Sequence, residues 1–272
     1  MKYIVAVSGG VDSMVLLDMM VRAGGHELIV AHFDHGIRPD SQFDARFVKE
    51  AASRHGVLFE MRREELGSQA SEALARERRY VFLRSVAKKH DATIVTAHHL
   101  DDLVETVAIN MTRGTGWRGV AALDSDVRRP LIDIEKAALM SYAQKHAIEW
   151  REDSTNATDA YLRNRLRVRA QTLPVDVKRQ LRALHAHQKA LKREIEKEVI
   201  QLIGEGPRYS RYSIIHMPIP AALECLRVIT HAKLTRPQLA RVLHAVKVAK
   251  PGTTFEAGNA TTIHFTTRQF SL

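Results

Sequence analysis

The sequence predicts an α/β fold: a parallel sheet with helices on both faces, then a helical connector and a small α+β domain. Three observations predict it. Short apolar runs alternate with segments of helical length through the first half of the chain, the pattern of a covered parallel sheet. A glycine turn joins the first run to the first helix. A long, highly charged stretch of helical period stops at Gly204-Glu205-Gly206-Pro207.

Tyr3–Val7 is the first strand and ends at Ser8-Gly9-Gly10. The segment from Val11 to Met20 carries Met14, Val15, Leu16, Leu17 and Met19, too long an apolar stretch for one strand, and reads as a largely buried helix. Leu28–Phe33 is a second buried strand. Ser41 opens a helix that runs to about Ser53, with Gly56 as its stop. Val57–Met61 is a third strand, Ser71-Glu72 opens a long helix reaching Lys89, Thr93–Ala97 is a fourth strand, and Asp101–Arg113 is another helix. A glycine loop, Gly114–Gly119, precedes helical Ile134–His146. Pro174 precedes the charged helix Val175–Ile203. Beyond Pro207 lie two helices, on either side of Thr235-Arg236-Pro237, and short β-like segments ending at Leu272. The resulting domain boundaries are 1–173, 174–204 and 208–272.

Composition narrows the function classes. No apolar run approaches the roughly 20 residues of a membrane span. The first segment reaches glycines too soon for a secretory signal, so a cytoplasmic protein without membrane attachment is expected. Cys225 is the single cysteine, which excludes an internal disulfide and any four-cysteine zinc or iron–sulfur site. The net charge of +10 is uneven: residues 1–150 hold 20 Lys/Arg against 21 Asp/Glu, residues 151–272 hold 21 against 10. A basic half beside a neutral one is the footprint of a polyanion binder.

Ser8-Gly9-Gly10-Val11-Asp12-Ser13 sits at the junction of the first strand and first helix. Glycines there permit positive φ and close backbone approach to a ligand. Helix-start amides attract anions, and the Ser8 and Ser13 hydroxyls can donate to phosphate oxygens. Asp12 is unexpected beside a polyanion unless a divalent cation or a developing ammonium is also present. The usual NTPase loop needs Gly-Lys-Ser/Thr, and no Gly-Lys occurs in the chain. The loop also differs from the dinucleotide pattern. It resembles the pyrophosphate loop of the N-type ATP pyrophosphatases, which cleave ATP between the α and β phosphates and pass AMP to an acceptor.

Further clusters follow in order: His32-Phe33-Asp34-His35-Gly36-Ile37-Arg38; Glu72 to Tyr80 with Arg76 and Arg79; Ala97-His98-His99-Leu100-Asp101-Asp102-Leu103-Val104-Glu105-Thr106; Arg113-Gly114-Thr115-Gly116; Arg129-Pro130-Leu131; Glu152-Asp153-Ser154-Thr155-Asn156; and Arg163-Asn164-Arg165. Over about residues 1–170 this series resembles the tRNA(Ile)-lysidine synthetase family. The resemblance implies an adenine nucleotide alpha hydrolase-like, Rossmann-like domain. It implies ATP and Mg²⁺ as cofactors, free lysine and a CAU-anticodon isoleucine tRNA as partners, and lysine ligation to C2 of the wobble cytidine with release of AMP and pyrophosphate. Family members commonly carry additional C-terminal recognition modules; the 65 residues after Pro207 resemble the shorter forms.

The residues themselves agree with that chemistry. Several clusters fall at the carboxyl ends of predicted parallel strands, where open α/β sheets bind ligands. Asp102 and Glu105, three apart on one helix, share a face; two such carboxylates hold an α-ammonium, a Mg²⁺ ion or both, and the sequence does not separate these. A solvated helix start favours acidic residues equally, and that bland reading weighs most on Asp101. Arg76 and Arg79, one turn apart, can neutralise phosphate with forked donors, and Arg78 reads as salt-bridged helix surface. Asp34 and His35, with His32, are placed to line the nucleotide or target base, Asp34 being the preferred functional member. Asp34, Asp102 and Glu105 are the candidates for proton acceptor. His98 and His99 are adjacent on an extended segment and point apart, so zinc is not expected. His185 and His187 read as surface residues. Arg163, Arg165, Arg167 and Arg169 alternate at a spacing suited to tRNA phosphates. A homodimer is left open.

Two rival readings remain at this level. One is another pyrophosphate-loop ligase or amidating enzyme acting on a small molecule, which would need no basic half. The other is a non-catalytic RNA-binding protein on a nucleotide fold, for which Ser8–Ser13 and Asp102/Glu105 would be idle. The lone cysteine disfavours sulfur transfer and favours nitrogen addition.

Overall fold

A computed structural model describes residues 1–37, 41–67, 70–123, 126–151, 169–170, 172–204 and 206–272. The motif Glu152–Asn156 and the arginines Arg163, Arg165 and Arg167 lie outside the described residues. Two compact units form, Met1–Gln188 and Lys189–Leu272.

In the first unit, strands β1 (Lys2–Ala6), β2 (Glu27–Asp34), β3 (Leu58–Arg63) and β4 (Thr93–Val95) make one parallel sheet in the order β3-β2-β1-β4. Helices α1 (Val11–Ala23), α2 (Ser41–Arg54), α3 (Glu72–His90), α4 (Leu100–Thr112) and α6 (Lys136–Lys145) surround or follow it. Alternation along β1 sends Tyr3, Val5 and Val7 to one face, where they meet Val15 and Leu17 of α1, Val48 of α2 and Leu139 of α6. Ile4 faces the other way and packs with Ile29, Phe82, Leu83 and Val86. Both faces are covered, so the central strands are apolar throughout. Leu17 is fully buried; truncation to Ala would cost roughly 2–5 kcal/mol.

The helix ends follow from local chemistry. Ser71 caps α3, its hydroxyl accepting the Leu74 N–H at 3.2 Å. Basic Lys88, Lys89 and His90 fill the last turn, where the helix dipole favours positive charge, and Asp91 turns the chain out at φ 49°. The Gly114–Gly119 loop holds a single helical turn, α5 (Trp117–Val120).

The order β3-β2-β1-β4 reverses direction between β1 and β4. The loops after these two strands, Ser8–Gly10 and Thr96–His99, therefore flank a crevice at the carboxyl edge, the switch point at which open α/β sheets take ligands.

Helix α7 (Val175–Ile203) begins in the first unit, and the division between units falls inside it. His185, expected at the surface, is buried, and its Nε2 lies 2.7 Å from the Ala122 carbonyl. The periodicity explains the difference: Lys178, Arg182 and His185 fall on one stripe of the helix, which faces the protein. His187 is exposed as expected.

In the second unit, β5 (Tyr209–Ser210), β6 (Thr254–Gly258), β7 (Thr261–Phe265) and β8 (Gln269–Ser271) form an antiparallel sheet ordered β5-β8-β7-β6. It packs with α8 (Arg211–His216), α9 (Ile219–Ile229) and α10 (Arg236–Val248) around Leu226, Leu239, Val242, Ile263 and Phe270. Cys225 is a buried free thiol in this core. Arg211 is buried too, and donates to the carbonyls of Val246 (2.9 Å), Thr266 (2.9 Å) and Ala249 (2.8 Å). Two of these acceptors close the C-terminal end of α10, where a cation is favoured. Among the described residues, no helix is long and apolar enough to cross a membrane.

Candidate active site

The loop after β1 is held by its own serines. The Ser13 hydroxyl donates to the Gly10 carbonyl at 2.8 Å and accepts the Ser8 N–H at 3.2 Å, and the two hydroxyls lie 3.2 Å apart. Gly9 adopts φ +95°, a conformation open to glycine, and its carbonyl accepts the Arg151 N–H at 3.0 Å. Gly10 caps α1 in an extended conformation without a side chain. Ser13 and Met14 donate back to Gly10. The Val11 and Asp12 amides precede the first intrahelical bonds and point out of the helix end. Such a helix start, with outward-pointing amides, is an arrangement able to accept an anion.

Asp12 does not face that helix start alone. Lys136, the first residue of α6, reaches it at 2.6 Å, and His99 Nε2 lies 3.7 Å from its other oxygen. Burial pushes the Asp12 carboxyl up, but the contacts from His99 and Lys136 outweigh it and hold the group below its ordinary range. The charge of Asp12 is thus balanced by a lysine side chain, a partner the sequence reading did not name.

His99 is the hub of the crevice. It caps α4, with its Nε2 3.5 Å from Asp102 and its Nδ1 3.7 Å from Asp101. Burial works against its charge, yet Asp12 and Asp102 raise its pKa above the ordinary value. Asp102 accepts the His99 N–H at 3.0 Å and stays partly exposed; surrounding protein pushes its carboxyl up against the opposing pull of His99. Glu105, one turn on, is buried. Asp101, on the Nδ1 side of His99, also serves two other elements. Its Oδ1 accepts from Lys178 Nζ at 2.6 Å and its Oδ2 from the Lys136 N–H at 2.8 Å. Burial raises Asp101, but those two contacts prevail and lower it.

A second cluster is positive. The guanidinium groups of Arg76 and Arg79 both lie over the Tyr80 ring, at 5.1 and 5.6 Å from its centre. His98 is pushed down to about 3, first by burial and then by Arg129, Arg76 and Arg79, so it is neutral; its Nδ1 is 2.8 Å from the Thr96 hydroxyl. His35 is lowered by burial and by Arg79. His32, lowered by burial, is a neutral ring whose Nδ1 contacts the Val7 carbonyl at 2.9 Å. Asp34 is buried with both oxygens engaged: Oδ1 accepts the Gly36 N–H at 2.9 Å and Oδ2 accepts from Arg63 at 3.0 Å.

The structure thus joins Asp12 and Asp102 through His99 at one place and Arg76, Arg79 and His35 in the arginine cluster at another, while Glu105 is buried one turn along α4 from Asp102. Sequence reasoning missed Lys136, Lys178 and His99 as a hub, and it quoted Arg129 within a motif without giving it a role. Lys136 had one signal, as the single lysine between Lys89 and Lys145. Among the described residues no group of three or more His, Cys, Asp or Glu is placed to hold a metal ion.

Residues 1–174 match the family described as PP-loop domain. Two curated relatives, each named tRNA(Ile)-lysidine synthase, are similar over 173 residues: one from Thermus thermophilus at 42% identity, covering 61% of this chain and 34% of the relative, and one from Exiguobacterium sibiricum at 40%, covering 61% and 42%. The chain therefore spans well under half the length of these relatives. Among solved structures, the U34-tRNA thiolase NcsA from Methanococcus maripaludis, with its [4Fe-4S] cluster, has a TM-score of 0.55 at 15% identity over 70% of this chain and 72% of that one, a likeness of fold. With the serine–glycine cradle at the switch point and a family match spanning the whole sheet, the chain belongs to the PP-loop domain family.

Proposed function

We propose that this chain uses ATP to ligate lysine to C2 of the wobble cytidine of a CAU-anticodon isoleucine tRNA, releasing AMP and pyrophosphate. The observation that carries this reading is identity of about two residues in five to relatives named tRNA(Ile)-lysidine synthase over the segment that holds both clusters. Membership of the PP-loop family supports ATP as the co-substrate.

In this reading the β and γ phosphates of ATP lie on Ser8–Ser13, where the free end of α1 leaves backbone amides facing the ligand and the Gly10 amide, bonded to the Ser8 hydroxyl, can exchange that partner for phosphate. The cytidine C2 oxygen attacks the α-phosphate and pyrophosphate leaves. Arg76 and Arg79 balance the charge that develops, an electrostatic contribution made by groups already in place. The ε-amine of lysine then attacks C2, the C2–O bond to AMP breaks, and the amine's proton passes to a carboxylate. Of the three candidates, Asp102 suits that step best: its carboxyl is raised and partly open, whereas both Asp34 oxygens are engaged and Glu105 is buried. Mg²⁺ fits here in the way usual for nucleotide sites, through one or two carboxylates plus phosphate oxygens; Asp102 is the partly exposed carboxylate that would hold it, and the ion would neutralise phosphate charge. The basic second half, with Arg163, Arg165 and Arg167, would hold tRNA phosphates.

The test is label transfer. The protein is incubated with ATP, Mg²⁺, radiolabelled lysine and a CAU-anticodon isoleucine tRNA transcript, with a second transcript carrying another wobble base. Acid-precipitable label that needs both ATP and the cytidine is expected. Folded protein that releases AMP only with a small-molecule acceptor would overturn the reading in favour of a small-molecule ligase. Asp102→Ala or Glu105→Ala should weaken lysine use more than ATP binding; equal losses would count against their assignment.

A further inference from the structure

The first turn of α4 is a junction. Asp101 anchors it to α7 through Lys178 at 2.6 Å and to the start of α6 through the Lys136 N–H at 2.8 Å. Both carboxylates flank His99, Asp101 at Nδ1 (3.7 Å) and Asp102 at Nε2 (3.5 Å), the nitrogen that also faces Asp12. The Lys178 and Asp101 side chains are only 6% and 9% exposed. The same stripe of α7 is fixed at two further points, Arg182 to Asp133 at 2.9 Å and His185 to the Ala122 carbonyl at 2.7 Å.

Packing alone does not call for an ion pair at this place. Apolar side chains of similar volume hold two buried surfaces together as well or better, because a buried pair must overcome the desolvation of both charges. What the pair adds is direction: a carboxylate oxygen and an ammonium meet in a narrow range of geometries. Asp101 and Asp102 are consecutive in a helix of 3.6 residues per turn. A roll of this turn that frees Asp101 from Lys178 carries Asp102, and Glu105 one turn on, away from the crevice.

We propose that Lys178 is a positioning residue, which through its buried pair with Asp101 sets the orientation of the Asp102/Glu105 carboxylates that receive the amine. This rests on the lysine-ligating reading above. Lys178 touches neither substrate nor reacting atoms; it acts by fixing the turn on which the binding groups sit.

The test uses the full chain as wild type, Lys178→Arg, Lys178→Met, and the combined Asp101→Asn/Lys178→Met variant. Asn retains an acceptor for the Lys136 N–H, and the combined variant leaves no uncompensated buried charge. ATP affinity is measured by calorimetry, the KM for lysine in the tRNA assay, and local order by amide exchange over residues 100–105. Lys178→Met and the combined variant should raise the KM for lysine about tenfold or more, as expected when binding groups are misplaced by a fraction of an ångström. They should leave ATP affinity unchanged and quicken exchange over 100–105 while the parallel sheet stays protected; Lys178→Arg should restore lysine use. A combined variant with wild-type KM for lysine would overturn the proposal, as would parallel loss of ATP affinity and of protection throughout the unit. If wild type transfers no lysine, the functional reading fails, and the exchange comparison still decides: unaltered exchange over 100–105 in Lys178→Met refutes positioning.

Discussion

Gly9 and Gly10 are adjacent glycines with different reasons to be there, and substituting each with alanine separates the two. Gly9 sits at φ +95°, and a Cβ built on it would meet Val48 Cγ2 at 3.5 Å, an ordinary contact. The obstacle is backbone strain rather than space, worth about 1–3 kcal/mol for a non-glycine residue held in such a region. The loop cannot relax freely, because the Ser8–Ser13 contacts and the Arg151–Gly9 bond pin it on both sides. At about 2–4 °C per kcal/mol for a unit of this size, Gly9→Ala should lower the melting temperature by about 2–12 °C. Gly10 has φ −74° and ψ 159°, which alanine adopts without strain, and its nearest neighbour would be Ser8 Oγ at 3.6 Å. Gly10→Ala should therefore melt with the wild type, yet place a methyl group where the cradle must admit phosphate. Calorimetric melting and ATP titration read both effects: Gly9→Ala loses stability and affinity, Gly10→Ala affinity alone. A Gly9→Ala variant as stable as wild type would refute the strained loop. A Gly10→Ala variant with undiminished ATP affinity would refute the cradle.

Three further outcomes are expected. Lys136→Met should weaken ATP binding by leaving His99 as the remaining cationic neighbour of Asp12 beside the phosphates, while stability changes by no more than about 1 kcal/mol because both partners are about one-third exposed; a large drop in melting temperature with intact affinity would contradict this. His98 titrates at about 3 in the fold against 6.5 ordinarily, so its neutral ring contributes stability in full above about pH 6.5 that is lost as pH falls toward 3. Denaturant midpoints of wild type should accordingly decline between pH 6.5 and 4 more steeply than those of His98→Gln, and identical slopes would show that His98 is not buried as described. Arg211→Ala should destabilise the second unit by roughly 3 kcal/mol or more, since three charge-assisted bonds to carbonyls are lost together; urea unfolding of the full chain would reveal it as an early transition with ATP affinity preserved.

Much of the first unit was legible because its signals are local. Buried parallel strands are apolar runs, and Ser8–Ser13 carries its turn, cap and hydroxyls within six residues. The strand and helix bounds shifted by one to three residues, as when β4 ends at Val95 and the chain leaves the sheet toward His98 and His99. What the sequence withheld is pairing across distance. Asp12 and Lys136 lie 124 residues apart, and Asp101 and Lys178 lie 77 apart; neither lysine is distinguishable by type from the many on the surface. His185 shows the same limit: a histidine in a charged helix reads as solvated until the stripe it shares with Lys178 is seen to face inward. Asp34 was singled out as a functional candidate at a strand end; that it is buried and bonded to Arg63 became visible only in the strand register, Asp34↔Arg63.

The serine bonds within the loop have a consequence for turnover. A buried hydroxyl orphaned in the empty protein, such as that of Ser13, would grip an anion hard, since departure would leave it unsatisfied, whereas exposed Ser8 could turn to water. Here Ser8 and Ser13 already serve one another and the Gly10 carbonyl. An arriving phosphate must exchange with those partners, and a departing one returns the hydroxyls to them. The affinity forgone on entry is recovered as speed on exit, which matters where the group that leaves is a multiply charged fragment that must clear the crevice before the next cycle.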